Sequence, residues 1–356
     1  MKKASPLAFL VIFFSMFCSA QFPTVTIPGS EVRRFTSSIV AGQEYELQIM
    51  FPAGYEGSNK KYPVLYLMDS QWDFPLLKSL YGEQYYDGFI PEMLIVGVTW
   101  GGSKPNPDSL RARDYTPTNE KRLPQSGGAD KFLSVLEGEV FPFVEANYKA
   151  DKLDRTLAGC SLGGLFTMYA LFSRPGMFQR YIATSPAFGW DHEVLYQYEK
   201  IYFENGTNPP AKLFMCIGGV ERSVTGFQKL TKQLSDRHYK TLQIQSLVLE
   251  NTGHSGTKGE GNARGLQFVF QKPKLSLNAA QLKKHVGQYL LSDGTTVEVK
   301  AENNELVLYV SPTNKYTLHA ATEADFYATS EFLNLHFTSA GFDLTRYGGT
   351  LSATKN

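Results

Sequence analysis

The segment RTLAGCSLGGLFTMYAL, residues 155–171, limits what this chain can fold into more than any other. A short apolar run ends in Gly159-Cys160-Ser161-Leu162-Gly163 and passes at once into helical periodicity, which reads as a strand, a sharp turn and a helix. Gly-rich turns of this kind recur in α/β proteins simply because a chain without Cβ atoms can reverse closely against its sheet. The more specific reading is a G-x-S-x-G nucleophile elbow, a strained turn that lifts a serine hydroxyl above the sheet and leaves no room for side chains beside it. The context on either side decides between the two.

That context alternates. Residues 25–51, with YELQIMF, predict an antiparallel hairpin, and YPVLYLM at 62–68 is a continuous apolar run of the kind buried on both faces. MLIVGVTW (93–100), the helical GADKFLSVLEGEVFPFVEANY (128–148), TLAGC, the helix LFTMYALF, YIATSP (181–186), KLFMCIGG (212–219), the helix GFQKLTKQLSDR and LQIQSLVLE (242–250) follow in turn. Strands alternating with helices predict a mostly parallel sheet with helices on both faces. Near Lys272-Pro273-Lys274 the texture changes. A short helix at 279–285 leads into TTVEVKA, ELVLYVS, KYTLHAA, LNLHF and GFDLTRY, period-2 runs separated by turn signals, which predict a small antiparallel β domain.

A length of 356 residues exceeds what one hydrophobic core usually serves, in keeping with two domains. With 35 basic against 34 acidic residues there is no charge excess to favour nucleic acid as a partner. At the N-terminus Lys2 and Lys3 precede an apolar run at 6–17, and Cys18-Ser19-Ala20 offers small residues for cleavage before Gln21. This predicts an export signal, too short to span a bilayer comfortably, and a secreted or periplasmic protein with no integral membrane segment after cleavage. Cys160 and Cys216 then remain, both in apolar strand-like runs, and are expected to be buried free thiols. The expected organisation is a signal peptide at 1–20, an α/β domain at 21–274 and a β domain at 275–356.

An acyl-transfer serine needs a histidine to remove its proton and an acid to hold that histidine in the useful tautomer. His254, in ENTGHSG, falls in a loop just after an expected strand, where a sheet of this type presents catalytic groups. The acid belongs between the two, at a strand end. Glu221, after KLFMCIGGV, satisfies this and gives the chain order serine, acid, histidine of α/β-hydrolases; an acid at a helix start also serves simply to complement the helix dipole. Asp191 is the alternative acid, and a Ser-His dyad the third arrangement. Two backbone N–H groups should bind the oxyanion: that of Leu162, just after the serine, and one from the loop Asp69-Ser70-Gln71-Trp72, assigned to Gln71. Trp72, Arg113, Phe188 and Trp190 are candidates to line the substrate cleft, with core packing and a structural salt bridge as equal explanations.

The phrases YELQIMFPAGY, KYPVLYLMDS, LRARDYTP, GGADKFLSVLEGEVFPFVEANY, RTLAGCSLGGLF, YIATSPAFGW and GHSG, in this order, resemble the bacterial putative-esterase family of α/β-hydrolases. That family is similar to the esterase D, feruloyl esterase, siderophore esterase and mycolyltransferase groups. The resemblance implies an α/β-hydrolase fold without metal or organic cofactor, with Ser161 as nucleophile, His254 as base, Glu221 at the acid position and Gln71 at the oxyanion position. Relatives commonly carry His or Phe where this chain has Cys160, Gly where it has Ser70, and a Trp pair where it has Gly189-Trp190. The tail resembles the small β-barrel appended to some secreted serine hydrolases of the β-lactamase-like type. The activity implied is that of a serine ester hydrolase on a small-molecule or glycan-linked ester, a feruloyl or acetyl ester of polysaccharide or a siderophore trilactone. Acyl transfer through the same acyl-enzyme and a non-catalytic binding role are the alternatives. The tail is expected to position or capture substrate.

Overall fold

A computed structural model describes residues 26–206, 208–347 and 349–356; the expected signal peptide at 1–20 lies outside them. Strands β1 (Ser30–Thr36) and β2 (Glu44–Met50) form the predicted antiparallel hairpin. The alternating region then gives β3 (Tyr62–Leu67), α1 (Ser70–Tyr86), β4 (Leu94–Trp100), α2 (Pro107–Tyr115), α3 (Ala129–Val135), a π-helical turn (Leu136–Val140), α4 (Phe141–Asn147), β5 (Ala150–Cys160) and α5 (Leu162–Ser173). It continues with β6 (Arg180–Thr184), α6 (Trp190–Glu193), α7 (Leu195–Asn205), β7 (Ala211–Gly218), α8 (Val224–Asp236), β8 (Leu242–Leu249) and α9 (Thr257–Val269). The eight strands lie in the order β1-β2-β4-β3-β5-β6-β7-β8, antiparallel only at β1–β2 and β2–β4.

Every residue of β4 is buried, as are the last five of β5, because helices cover both faces of the sheet and leave no solvated side to select polar residues. Helices α1 and α9 cover one face through Phe74, Leu77, Leu266 and Val269. On the other face Phe132, Phe166, Leu195 and Leu230 belong to one continuous core. α8 shows how this is encoded: its buried Phe227, Leu230 and Leu234 are spaced three and four apart, one stripe of a 3.6-residue helix. Among the described residues no helix is long and apolar enough to cross a membrane.

After α10 (Ala279–Lys283), capped by reciprocal bonds between Asn278 and Gln281, the chain forms a closed antiparallel barrel. Its strands are β9 (Gly287–Leu291), β10 (Thr296–Glu302), β11 (Glu305–Tyr309), β12 (Lys315–Ala320), β13 (Asp325–Tyr327), β14 (Leu333–Phe337), β15 (Gly341–Arg346) and β16 (Gly349–Lys355). Val297 and Val299, Leu306 and Leu308, Leu333, Leu335 and Phe337 alternate inward, as barrel closure requires. Tyr289, Phe326 and Phe342 fill the middle, so the barrel interior is a packed core. β9, β13 and β16 carry weak strand signals of their own: β9 turns only Tyr289 and Leu291 inward, β13 has three residues, and β16 turns only Ala353 fully inward.

The barrel docks on the hydrolase sheet at the end away from the elbow. Phe332 packs on Tyr85 (ring centroids 5.2 Å apart) and Tyr347 on Tyr86 (5.3 Å), both at the C-terminal end of α1. A helix of 17 residues is about 25 Å long, so this contact sits that far from Gln71 at the other end of the same helix.

Candidate active site

Parallel strands all point one way, so the loops after β3, β5, β6, β7 and β8 gather along one edge. β3 and β5 are neighbours although β4 follows β3 in the chain, which makes their junction the switch point of the sheet.

Ser161 stands there with φ 60° and ψ −117°, a conformation costly for a residue with a Cβ. The turn persists because nothing larger than glycine fits around it. A Cβ on Gly159 would lie 2.5 Å from the carbonyl carbon and oxygen of Gly163, and one on Gly164 would lie 3.0 Å from Pro186 Cα. The Ser161 N–H donates to the Thr184 carbonyl (3.0 Å), and the Ser161 carbonyl accepts from Ala187 (3.0 Å), which ties the elbow to the end of β6.

The residue after Thr184 reaches the acid. Ser185 Oγ donates to Glu221 Oε1 (2.6 Å), the Gly218 N–H donates to the same oxygen (2.8 Å), and Glu221 Oε2 meets His254 Nδ1 at 2.7 Å. Burial works against ionisation of Glu221, but the bonds from Ser185, His254 and Gly218 outweigh it and hold the carboxyl below the ordinary glutamate range. The acid is therefore charged at neutral pH and orients the imidazole, whose side chain is 48% exposed against 10% for Glu221. Thr257 Oγ1 donates to the His254 carbonyl (2.7 Å) and shares a hydroxyl contact with Ser185 (2.8 Å), so the loop carrying the histidine is pinned to the group that holds the acid. Asp191, the alternative acid, lies in α6 with φ 42°, and it is Glu221 that contacts His254. No hydrogen bond joins Ser161 Oγ to His254 among the described residues; such bonds are often loose in unliganded sites and tighten around a reacting ester.

Leu162 opens α5 and Gln71 is the second residue of α1, so both N–H groups belong to helix first turns that lack intrahelical acceptors. Residues 69–72 are expected as loop from the sequence, whereas the helix already begins at Ser70, because Asp69 takes the left-handed conformation (φ 55°) and reverses the chain in one residue. The Gln71 carboxamide is turned aside, its oxygen accepting from Thr99 Oγ1 (2.7 Å).

The four cleft candidates separate. Trp72 is 49% exposed, with the Arg111 guanidinium 5.6 Å and Lys258 Nζ 6.0 Å from its ring. Trp190 is partly buried and donates to the Thr118 carbonyl (3.3 Å). Phe188 is a core residue, 4% exposed, lying where a side chain on Gly226 would have to go. Arg113 forms the structural salt bridge instead, with Asp114 (2.7 Å), and also bonds Gln43 and Tyr45. Its place beside the elbow is taken by Arg111, which grips buried Asp69 through two bonds (2.6 and 3.1 Å) and reaches the Cys160 carbonyl at 3.4 Å. Burial pushes the Asp69 carboxyl up against the opposing pull of Arg111. Cys160 and Cys216 are free and buried, and burial raises both thiols, Cys216 to about 12, which leaves neither as a competing nucleophile.

The family described as "Putative esterase" matches this chain over residues 37–241. This chain belongs to that family. The ferri-bacillibactin esterase BesA of Bacillus subtilis is 32% identical to this esterase over 275 residues, which span 71% of the chain and 94% of the relative. The siderophore triacetylfusarinine C esterase of Aspergillus fumigatus is 30% identical over 186 residues, 51% of the chain and 63% of the relative. Among solved structures, the BES protein from Bacillus cereus superposes with a TM-score of 0.64 at 25% identity, covering 70% of this chain and 99% of that one. The esterase is thus a carboxylic ester hydrolase built on an α/β-hydrolase sheet.

Sequence reasoning missed Ser185, Thr257, Arg111 and Lys258. Ser185 follows directly on β6, and a search of every parallel strand's C-terminal end would have found it. Arg111 and Arg113 both stand in LRARDYTP, two positions apart on one helix and so on roughly opposite faces; only the phase of α2 decides which faces the elbow.

Proposed function

We propose that this esterase hydrolyses its substrate through an acyl-enzyme on Ser161, and that the substrate is a siderophore-type ester. The observation that carries the mechanism is the Glu221–His254 pair at 2.7 Å on the same sheet edge as a serine held at φ 60°. Ser161 Oγ attacks the ester carbonyl as its proton passes to the free nitrogen of His254, while the oxyanion of the tetrahedral intermediate accepts from the Leu162 and Gln71 N–H groups. Collapse expels the alcohol, which takes the proton back from the imidazolium that Glu221 stabilises. Water then repeats the cycle on the acyl-enzyme and releases the acid.

For the substrate, support comes from the relatives that act on siderophores and from Trp72, an exposed ring beside the α1 N-terminus that suits an aromatic acyl group. Its flanking cations are matched by acids, Arg111 by Asp69 and Lys258 by Asp73, so the rim offers a ring and fixed dipoles more than net positive charge. The proposal includes export, on the strength of the signal-like N-terminus. Turnover of a ferric trilactone siderophore, methyl ferulate and p-nitrophenyl acetate, butyrate and octanoate tests it. The trilactone should give the highest kcat/KM; preference for methyl ferulate would overturn the substrate assignment, and no turnover of any ester would overturn the mechanism.

A further inference from the structure

The junction between the sheet and the barrel forms an open cleft of about 290 Å³. It is lined by Arg264, Gln267, Phe268 and Gln271 from α9 and the segment after it, by Gln245 of β8, by Lys272 and by Tyr327 of the barrel. α9 starts three residues after His254, and its lining residues Arg264 to Phe268 lie about 10 to 16 Å along it, so this is a separate place from the ester site.

Its chemistry is lopsided. Two cations and three carboxamides line it and no carboxylate does, although exposed Arg264 has Glu260 one turn back at 3.7 Å, which leaves Lys272 as the cation without an acid. Lys272 is half-buried, bonds neutral Asn334 Oδ1, and lies 5.0 Å from the face of the Tyr327 ring. Among the described residues no carboxylate pairs with it, although Lys274 two positions on pairs with Glu305 at 3.1 Å. Lys212 nearby repeats the pattern, donating only to the Gln271 carbonyl (2.9 Å). Buried charges are normally paired, and an ammonium has three donors to satisfy. Burial accordingly pulls both lysines below the ordinary range.

We propose that this cleft binds a sugar acid, a single hydroxylated ring bearing a carboxylate. The carboxylate would answer the unpaired Lys272 ammonium with Arg264 beside it. The carboxamides of Gln245, Gln267 and Gln271 each offer both donors and an acceptor, which matches several ring hydroxyls better than the flat, sparsely hydroxylated face of an aromatic acid. Phe268 and Tyr327 supply apolar surface for the ring's C–H faces. The volume is at the small end for ligand sites, which suits one ring rather than an oligomer. A ligand here touches both the sheet and the barrel and would tie them together.

Calorimetric titration of the whole chain tests this with galacturonate, glucose and 2,3-dihydroxybenzoate. Galacturonate should bind saturably, glucose at least about tenfold more weakly, and Lys272→Met should lower galacturonate affinity by about tenfold or more, as loss of a charge-assisted bond does. Arg264→Gln, on an exposed side chain, should weaken binding less and serves as the second reading if Lys272→Met does not fold. Turnover of p-nitrophenyl acetate should be unchanged in both variants. Absence of saturable galacturonate binding, equal binding of glucose, binding insensitive to both substitutions, or 2,3-dihydroxybenzoate bound in preference would each overturn the proposal.

Discussion

The sheet and the barrel both hold histidines against carboxylates, and only one of those contacts sits in a site. His254 meets Glu221 at 2.7 Å, His336 meets Asp325 at 2.7 Å and His319 meets Glu305 at 3.0 Å, so distance does not separate them. Position in the topology does. Parallel strands deliver Ser161, Ser185, Glu221 and His254 to one edge from four different strand ends. In the barrel, antiparallel neighbours alternate direction, so Asp325 and His336 are simply cross-strand partners on β13 and β14, and Glu305 and His319 lie on adjacent β11 and β12. Those pairs brace the outside of a core and meet no strained serine. A histidine–acid contact is therefore weak evidence of chemistry, whereas convergence of several strand ends on a positive-φ serine is strong evidence.

The comparison breaks most visibly at the nucleophile. Ser161→Ala should lower turnover of every active ester by about 10³- to 10⁶-fold with the fold intact, read by kcat and circular dichroism. A fluorophosphonate probe should label Ser161 alone, and a variant keeping a tenth of wild-type activity would end the elbow assignment. Next in size, Glu221→Gln should cost about 10²- to 10⁴-fold in kcat, less than His254→Ala, because the acid orients the imidazole without moving the proton itself. A silent Glu221→Gln would leave a dyad. His336→Ala and His319→Ala should leave kcat within about twofold of wild type, as expected for substitutions in the barrel away from the sheet edge.

Removing the barrel after Gln271 uncovers Tyr85, Tyr86 and Phe268 but keeps the whole sheet edge around Ser161. Small-ester turnover should stay within about threefold of the intact chain, as for a module cut at a linker, while light scattering rises as the apolar patch is exposed. A soluble but inactive product would instead make the barrel part of the catalytic architecture, acting through α1. The smallest effect is in stability. Asp325 is held below the usual carboxylate range by bonds from Thr322 and His336, so its contribution is present at neutral pH and is lost as pH falls through that lowered value. Because the pair is exposed, Asp325→Asn should cost at most about 0.5 kcal/mol near pH 7 and nothing at low pH, measured by urea unfolding at the two pH values.

Much of the sheet was legible because continuous apolar runs and helical stripes are local signals, and α8 and the elbow are plain examples. α1 and α7 were not. α1 carries Pro75 and the exposed Trp72 and Tyr86, which blur the stripe of Phe74, Leu77 and Tyr81 that meets the sheet. In the barrel the five strands with regular alternation could be read, while β9, β13 and β16 exist because closure supplies partners for backbone groups that would otherwise form an open edge.

Sequence alone determined the chain order of the candidate serine, acid and histidine and the need for glycine at 159, since backbone crowding at a tight turn is a local matter. Which arginine faces the elbow, that Ser185 holds Glu221, and that the barrel docks at the far end of α1 were decided only by tertiary structure. Each depends on the phase of a helix or the direction of a strand relative to a distant neighbour, and a linear sequence carries that phase only once the neighbour is in place.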